Sequence, residues 1–201
     1  MEQQQQHRTA WERQLLIRDK NRPTVRDYIP RIFTDFYEMH GDRNFGDDGA
    51  IIGGIGRLNG LPVTILAQVK GRNLRENKAS NFAMPHPEGY RKALRLAQSR
   101  TEKFHRPDHL PDRHPPVAFC GVEAEERGQG EAIARNIAEF MMLKTPVISV
   151  VLGEAGSGGG CSGTGRVRCS GNAGERVVLC DLSPRSRIDP VERCLPRAGS
   201  L

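Results

Sequence analysis

The sequence has few aromatic residues, few lysines and no long hydrophobic run. Aromatic residues make up 5% of its 201 residues, and no lysine follows Lys144, so arginine carries most of the formal net charge of +6. The arginines are scattered and never form a run of four basic residues, which argues against nucleic-acid binding. No apolar stretch approaches the roughly 20 residues of a membrane span, and we expect no membrane-spanning segment.

The cysteines are also few and irregularly spaced. There are five, at positions 120, 161, 169, 180 and 194, and no two of them form a C-x-x-C pair. The spacing therefore does not favour a zinc ribbon, and no metal site is expected. An odd number of cysteines without a secretory hydrophobic region indicates a reducing compartment. We expect a cytoplasmic protein.

Glycine and proline are in excess, with 22 and 13 residues, and the apolar fraction is only 37%. These features are uneven along the chain, which we divide into three parts. Residues 1–22 form a polar segment with a helix from Trp11 to Asp19, residues 23–160 form the main domain, and residues 161–201 form a tail without discernible periodicity.

The first half of the main domain predicts a helix followed by a hairpin. Thr24 and Asp27 form a weak capping box at the start of the helix, and its apolar face is expected to contain Tyr28, Ile32, Phe33 and Phe36. After Ile51, Ile52 and Ile55, the pair Asn59–Gly60 marks a two-residue hairpin turn. The second strand of the hairpin is predicted from Val63 to Val69.

Helix and strand patterns then alternate. Tyr90, Ala93, Leu94 and Ala97 form a helical stripe, and a helix is predicted from Glu123 to Lys144. Its inward face is expected to contain Ala132, Ile133, Ile137, Phe140 and Met141. PVISVVLG, residues 146–153, is apolar without alternation, as in a buried strand of a parallel sheet. The order of elements predicts a layered α/β fold.

One segment conflicts with this order. After a helix that ends near Phe104, a layered α/β pattern calls for a buried strand, but the sequence is HRPDHLPDRHPPVA. Its four prolines, Pro107, Pro111, Pro115 and Pro116, remove hydrogen-bond donors that a central strand needs. Local chemistry and global order disagree at this point.

Three long strings resemble one family: RPTVRDYIPRIFTDFYEMHGDRNFGDD, KGRNLRENKASNFAMPHPEGYRKALRL and AEERGQGEAIARNIAEF. They are similar to the carboxyltransferase alpha subunit of multi-subunit acetyl-CoA carboxylase, and VVLGEAGSGGG resembles that family's glycine-rich turn. The match covers residues 11–104 and 119–160. It implies an α/β, crotonase-like (ClpP/crotonase) fold of repeated ββα units, here incomplete and preceded by N-terminal helices. It also implies a role in malonyl-CoA formation, with ATP binding and fatty acid biosynthesis as its context.

Our hypothesis for the places where the resemblance stops is a reading-frame error. DHLPDRHP, residues 108–115, can be encoded so that a shift of one base gives IICLIDTP, an apolar strand followed by the Asp-Thr-Pro turn of the family. Residues 171–194, shifted in the same direction, give approximately EMLENVLYSVISPRGRASILWKD. We therefore expect that residues 107–118 and 161–201 are out of frame, and that the tail is disordered. The alternative is a genuine proline-rich loop with a disordered tail.

The glycine-rich turn is the main candidate for catalysis. Carboxyl transfer from carboxybiotin to acetyl-CoA develops negative charge on an enolate oxygen and on the ureido oxygen of biotin, and backbone N–H groups at a tight turn stabilise such charge. By the resemblance, Gly158 and Gly159 match the turn that holds the ureido oxygen. Gly158, Gly160 and Gly163 also satisfy G-x-G-x-x-G, but half of that motif lies in the tail, and a dinucleotide site is not favoured.

The resemblance also implies partners. The carboxyltransferase beta subunit would complete a heterotetramer of two alpha and two beta chains, and would carry both the enolate site and the zinc-binding cysteines. Biotin, the cofactor, would not be bound covalently to this chain. The biotin carboxyl carrier protein would present it after carboxylation by biotin carboxylase, and acetyl-CoA would meet it at the interface between the subunits.

Weaker candidates surround this turn. Ala118, Phe119, Cys120 and Gly121 match the family's Gly-Ala-Tyr-Pro-Gly turn imperfectly, and either line the biotin pocket or form a simple turn. Lys70, Arg72 and Arg91 either bind substrate phosphates or the partner, or form a solvated face. His86, between two prolines, is interpreted as structural.

Two other functions remain open from the sequence. One is another biotin-dependent acyl-CoA carboxyltransferase or a crotonase-type enzyme, and the other is a basic interaction protein without catalysis. The 201-residue chain itself is expected to be inactive, because it lacks an internal strand and the family sequence that follows Gly160.

Overall fold

A computed structural model describes residues 10–98, 118–143, 145, 147, 149–151, 154–156, 170–172 and 177–179. Two helices begin the chain, α1 (Ala10–Ile17) and α2 (Val25–Ile32). The capping box predicted at the start of α2 is confirmed. The Asp27 carboxylate accepts hydrogen bonds from the Thr24 backbone N–H at 2.6 Å and from the Thr24 hydroxyl at 2.9 Å, which fixes the chain at the entry to the helix.

The buried face of α2 differs from the prediction. Val25, Ile29 and Phe33 are buried, at a spacing of four residues, whereas Ile32 is 43% exposed. Phe36 is not helical, because the backbone is already extended at Phe33 (φ −112°, ψ 139°) and a strand follows. Phe33 is buried as predicted and Phe36 packs against the same core cluster from that strand, so the prediction is wrong at Ile32.

An antiparallel sheet of three strands follows α2. The strands are β1 (Thr34–Glu38), β2 (Ile51–Leu58) and β3 (Leu61–Gln68), in the spatial order β1-β2-β3. β2 and β3 are paired along their whole lengths, and the predicted hairpin turn is confirmed. Both turn residues have positive φ, 50° at Asn59 and 82° at Gly60, as a type I′ turn requires.

Helices that follow the sheet in sequence complete the described part of the main domain. They are α3 (Leu74–Ala79), α4 (Pro87–Leu96), α5 (Val122–Glu126) and α6 (Gln129–Met142), with a short 3-10 turn over Asn81–Ala83. The stripe predicted for α4 is confirmed, since all four of its residues are buried: Tyr90, Ala93, Leu94 and Ala97. None of these described helices is long and apolar enough to cross a membrane.

The helix predicted over residues 123–144 is two helices. The chain is broken at Gly128, whose φ of 80° lies in the left-handed region and ends regular α-helical geometry. Ala132 and Phe140 face inward as predicted, but Met141 is 48% exposed. The break rotates α6 independently of α5, so one helical periodicity does not describe both.

β3 forms the middle layer, because residues from Val63 to Val69 are buried on both faces of the sheet. Alternate side chains of a strand point to opposite faces. One core cluster contains Val25, Ile29, Phe33, Ile52, Val63, Ile65, Ala67 and Val69. The other contains Leu66, Ala93, Leu94, Leu96, Ala97, Phe140, Leu143 and Val147. Helices therefore pack on both faces of the hairpin, and the predicted layered α/β arrangement is confirmed.

Four short strands lie further along the chain. β4 (Ser149–Val151) pairs in parallel with β6 (Ser170–Asn172), and β5 (Glu154–Gly156) pairs in parallel with β7 (Val177–Leu179). A parallel strand within residues 146–153 agrees with the sequence. β6 and β7 lie in the tail for which we expected disorder, so six residues there are paired. Of the segment 107–118, expected to be out of frame, residues 107–117 lie outside the described residues.

Candidate functional site

The described candidate site is the turn formed by Ala118, Phe119, Cys120 and Gly121, called here the 118–121 turn. It lies against the segment that leads into α4. The Phe119 backbone N–H donates to the Pro85 carbonyl at 3.0 Å. The Phe119 ring stacks on the His86 imidazole, with centroids 4.1 Å apart and planes inclined by 25°. Two different interactions thus hold the turn at one position.

Gln129, the first residue of α6, holds the same turn from the other side. Its side chain is buried, and its Nε2 donates to the carbonyls of Pro85 and Phe119, both at 2.9 Å. Its Oε1 has no hydrogen-bond partner among the described residues. Because Nε2 bridges two carbonyls, the segment before α4, the 118–121 turn and α6 form one unit.

The turn also begins α5. The carbonyl of Gly121 accepts the backbone N–H groups of Ala124 and Glu125, at 3.0 and 3.1 Å. A Cβ at Gly121 would lie 2.6 Å from Cε1 of Phe119, so only glycine allows the ring to approach this closely. Cys120 is exposed, with a free thiol.

The segment before α4 has a strained backbone. Asn81, Phe82 and Ala83 all have positive φ, at 47°, 54° and 62°, and this region costs an L-residue about 1–2 kcal/mol. Side chains stabilise it at both ends. Gln68 Nε2 donates to the Ala83 carbonyl at 2.8 Å, and Asn81 Nδ2 lies 3.0 Å from Asp48 Oδ1 and 2.8 Å from His86 Nδ1.

Asp48 is the buried anchor of this segment. Its carboxylate accepts the backbone N–H groups of Ala50 at 2.9 Å and His86 at 2.7 Å, in addition to the Asn81 amide. Burial raises the pKa of Asp48, and the hydrogen bonds from Ala50 and His86 oppose that rise. Three donors to one buried carboxylate fix Asn81 and His86 relative to the start of β2.

A lysine buried in α4 reinforces the same loop. Lys92 Nζ donates to the Asp48 backbone carbonyl at 2.8 Å and to Asp47 Oδ1 at 2.5 Å. Partial burial acts to raise the pKa of Asp47, but hydrogen bonds from Lys92, Gly41 and His40 outweigh it and lower that pKa to about 2. The loop before β2 is therefore tied to α4 by a charged pair.

An ion-pair network joins α4 to the junction between α5 and α6. Arg91 Nε donates to Asp42 at 2.8 Å, its Nη1 to the Arg127 carbonyl at 2.9 Å and its Nη2 to Glu88 at 3.0 Å. Arg127 Nε donates to Glu88 at 2.7 Å, and its guanidinium lies 4.6 Å from the centre of the Phe45 ring. The elements on either side of the 118–121 turn are thus rigidly connected.

Comparison with known proteins places this arrangement in a family. Residues 1–167 match the family described as acetyl co-enzyme A carboxylase carboxyltransferase-like. The chain belongs to this family. Its curated relatives include the acetyl-coenzyme A carboxylase carboxyl transferase subunit alpha of Clostridium perfringens, 59% identical over 150 residues, which are 75% of this chain and 55% of the relative. The corresponding subunit of Alkaliphilus oremlandii is 48% identical over 180 residues, or 90% of this chain and 54% of the relative. The chain thus spans about half the length of these relatives.

Solved structures share the fold of this carboxyltransferase-like chain. Transcarboxylase 12S with methylmalonyl-coenzyme A and methylmalonic acid bound matches with a TM-score of 0.65 and 19% identity, over 81% of this chain and 30% of that one. The beta subunit of Pseudomonas aeruginosa geranyl-CoA carboxylase matches with a TM-score of 0.61 and 18% identity, over 80% of this chain and 29% of that one. The crotonase-like fold expected from the sequence is confirmed.

The structure brings together only some of the residues singled out in the sequence of this family member. Gly158 and Gly159 lie outside the described residues, so their role stays a prediction. Arg91 is engaged with Asp42 and Glu88 inside the protein, and Arg72 pairs with Asp27. Lys70 is half-buried just after β3. Within the described segments, no three His, Cys, Asp or Glu side chains converge as a metal site.

The sequence did not identify Asp48, Asn81 or Gln129 as parts of the site. Asp48 precedes His86 by 38 residues, and Gln129 follows Pro85 by 44, so no local pattern links them. The available signals were weak: an Asn at a position that tolerates positive φ, and a His between two prolines. His86, interpreted as structural, contacts the candidate turn directly.

Proposed function

We propose that the protein to which this chain belongs transfers the carboxyl group of carboxybiotin to acetyl-CoA and produces malonyl-CoA, as the alpha component of acetyl-CoA carboxylase carboxyltransferase. The observation that supports this most strongly is the family match over residues 1–167, together with relatives named as that subunit at up to 59% identity. Carboxybiotin and acetyl-CoA are both substrates of this reaction. This assigns the protein to cytoplasmic fatty acid synthesis.

The reaction exchanges a carboxyl group for a proton. The bond between the ureido nitrogen and the carboxyl carbon breaks, a bond forms between that carbon and the methyl carbon of acetyl-CoA, and the methyl proton passes to the ureido nitrogen. Backbone N–H groups at Gly158 and Gly159 would stabilise charge on the ureido oxygen. This division of roles requires no general base from this chain.

The 118–121 turn is proposed to line the pocket for biotin. The Phe119 ring and the extended backbone at Gly121 would contact biotin, and the contacts to Pro85, His86 and Gln129 preorganise them. A preorganised turn binds its substrate with a smaller loss of conformational entropy. The roles proposed for Lys70, Arg72 and Arg91 are contacts with coenzyme A phosphates or with the partner chain.

The proposed assembly needs further chains. A beta subunit would pair with this one as a heterotetramer of two alpha and two beta chains, and would provide the enolate site and the zinc. A biotin carboxyl carrier protein would deliver biotin, and an ATP-binding biotin carboxylase would carboxylate it. The relatives support this because their names describe one subunit of a carboxylase.

The 201-residue chain is proposed to be inactive, because residues 107–118 and 161–201 are out of frame. The experiment compares two chains, each mixed with a beta subunit of a close relative, carboxylated biotin carrier and acetyl-CoA. One is the chain as it stands, and the other contains the in-frame strings restored at both places, continued with the remaining sequence of a relative. Malonyl-CoA formation is measured by mass spectrometry.

Malonyl-CoA is expected from the restored chain only. No product from the restored chain would contradict the proposed function, and product from the chain as it stands would contradict its proposed inactivity. Propionyl-CoA is offered in parallel, because a preference for it would assign the chain to another biotin-dependent acyl-CoA carboxyltransferase. A mixture without beta subunit is the control for background hydrolysis.

A further inference from the structure

His86 stands at the contact between two parts of the site. One is the strained segment from Asn81 to His86, and the other is the 118–121 turn. The imidazole is largely buried, with 14% of its side chain exposed. Its Nδ1 lies 2.8 Å from the Asn81 amide, and its face stacks on Phe119.

On the His86 side of this contact, buried polar groups hold the residue in place. The backbone N–H of His86 donates to Asp48 at 2.7 Å, and the Asn81 side chain that meets the imidazole donates to the same carboxylate at 3.0 Å. Asp48 thus fixes the backbone of His86 directly and the imidazole ring through Asn81. Because Lys92 holds the Asp48 carbonyl from α4, the anchor does not move independently of the core.

The Phe119 side of the contact has fewer hydrogen bonds to fix it than the His86 side. Beyond the His86 stack, the described contacts that hold Phe119 are its N–H to the Pro85 carbonyl and its own carbonyl to Gln129. The Phe119 ring also packs closely against Gly121, and its stack on His86 contributes beyond the area that it buries.

We propose that His86 is a positioning residue that sets the 118–121 turn. It transmits the position of the Asp48 anchor, through its backbone hydrogen bond to that carboxylate and its stack on Phe119, to a turn 33 residues further along the chain. The functional meaning of this positioning rests on the proposed function, in which the turn lines the biotin pocket. The positioning itself does not depend on that assignment.

Amide hydrogen exchange tests the positioning directly. The Phe119 amide, bonded to the Pro85 carbonyl, reports whether the turn stays closed, and the Ile65 amide in the β2–β3 hairpin reports the stability of the core. In His86→Ala, we expect Phe119 to exchange about two- to tenfold faster, as loss of an aromatic stack predicts. Ile65 is expected to exchange at its original rate. Both rates are measured by NMR on the 201-residue chain.

Two further variants distinguish a specific effect of His86 on the 118–121 turn from a general loss of stability. His86→Phe retains a stacking ring but loses the bond to Asn81, and we expect it to restore the Phe119 rate to within about twofold of the unsubstituted chain. His40→Ala removes another histidine, which lies 2.9 Å from Asp47, and is the matched control expected to leave both rates unchanged.

Several outcomes would overturn the proposal. They are an unprotected Phe119 amide in the unsubstituted chain, a Phe119 rate unchanged in His86→Ala, equal acceleration at Phe119 and Ile65, and no restoration by His86→Phe. In the restored carboxylase, His86→Ala is further expected to raise KM for the carboxylated carrier more than it lowers kcat. If exchange changes as expected but KM does not, the positioning stands and the biotin role proposed for the turn fails.

Discussion

The β2–β3 hairpin and the short strands β4 to β7 differ in how fully they are paired. The hairpin is paired over eight positions and has helices on both faces. Each of the later pairs spans three positions, and the partners of β4 and β5 come from the tail. In the hairpin, turn chemistry, strand propensity and burial agree, as in sequences selected to fold. The tail sequence has no discernible periodicity, and we propose that it is translated out of frame.

The largest expected effect is in the hairpin. Ile65 in β3 is completely buried in the core cluster that joins the sheet to α2, so Ile65→Ala leaves a cavity and should lower the free energy of unfolding by about 2–5 kcal/mol. Urea denaturation followed by circular dichroism measures this. Leu61→Ala, at a position 68% exposed in the same strand, is the matched control and should change stability by less than about 0.5 kcal/mol. Equal effects of the two substitutions would contradict the layered core.

A somewhat smaller effect is expected at Asp42, which joins the loop before β2 to α4. Burial acts to raise the pKa of Asp42, but hydrogen bonds from Asn44, Arg91, Phe45 and Gly46 outweigh it and lower that pKa to about 2. The carboxylate therefore stabilises the fold above the ordinary pKa of 3.8, and this stabilisation is lost as the pH falls through about 2.

Asp42→Asn should lower the free energy of unfolding at pH 7 by about 3 kcal/mol, because Arg91 loses a buried ionic partner. It should also weaken the fall in stability between about pH 4 and pH 2. Urea titrations at several pH values measure both effects. Asp35→Asn removes an exposed partner of Arg57 and should change stability by less than about 1 kcal/mol. A pH dependence identical in Asp42→Asn and the unsubstituted chain would refute this account of Asp42.

Local patterns predicted the parts of the fold that depend on neighbours in sequence. The Asn59–Gly60 turn and the stripe from Tyr90 to Ala97 follow from turn chemistry and helical period. The break at Gly128 did not, since a glycine within a helical pattern is often tolerated. The anchor at Asp48 was also missed, because its partners Asn81 and His86 lie 33 and 38 residues away. Those contacts exist only after the layers pack.

Two glycines on either side of Gln129, Gly128 and Gly130, test the break between α5 and α6. Gly128 has a φ of 80°, whereas a Cβ at Gly130 would meet nothing within 4 Å. Gly128→Ala should therefore destabilise the chain by about 1–2 kcal/mol. Gly130→Ala, at the second residue of α6, should stabilise it by up to about 1 kcal/mol, because alanine has a higher helix propensity than glycine. Thermal unfolding compares the two, and the same sign of change for both would show that the break is not required.

The smallest effect is expected from removing the tail. Deleting residues 161–201 removes β6 and β7, but three-residue pairings barely offset the entropy of ordering their backbone. The free energy of unfolding should change by less than about 1 kcal/mol in urea denaturation. A loss above about 2 kcal/mol would mean that the tail contributes to the fold, and the contrast with the hairpin would disappear.

The nucleotide sequence across codons 106–119 and 158–163 decides whether the two segments are out of frame. We expect codons in which displacement by one base converts residues 108–115 into IICLIDTP, with a second displacement near Gly160 that leads into the family sequence. An unbroken frame, with codons that cannot yield these strings, would contradict this expectation. In that case the proline-rich segment and the tail would be genuine parts of this carboxyltransferase-like chain.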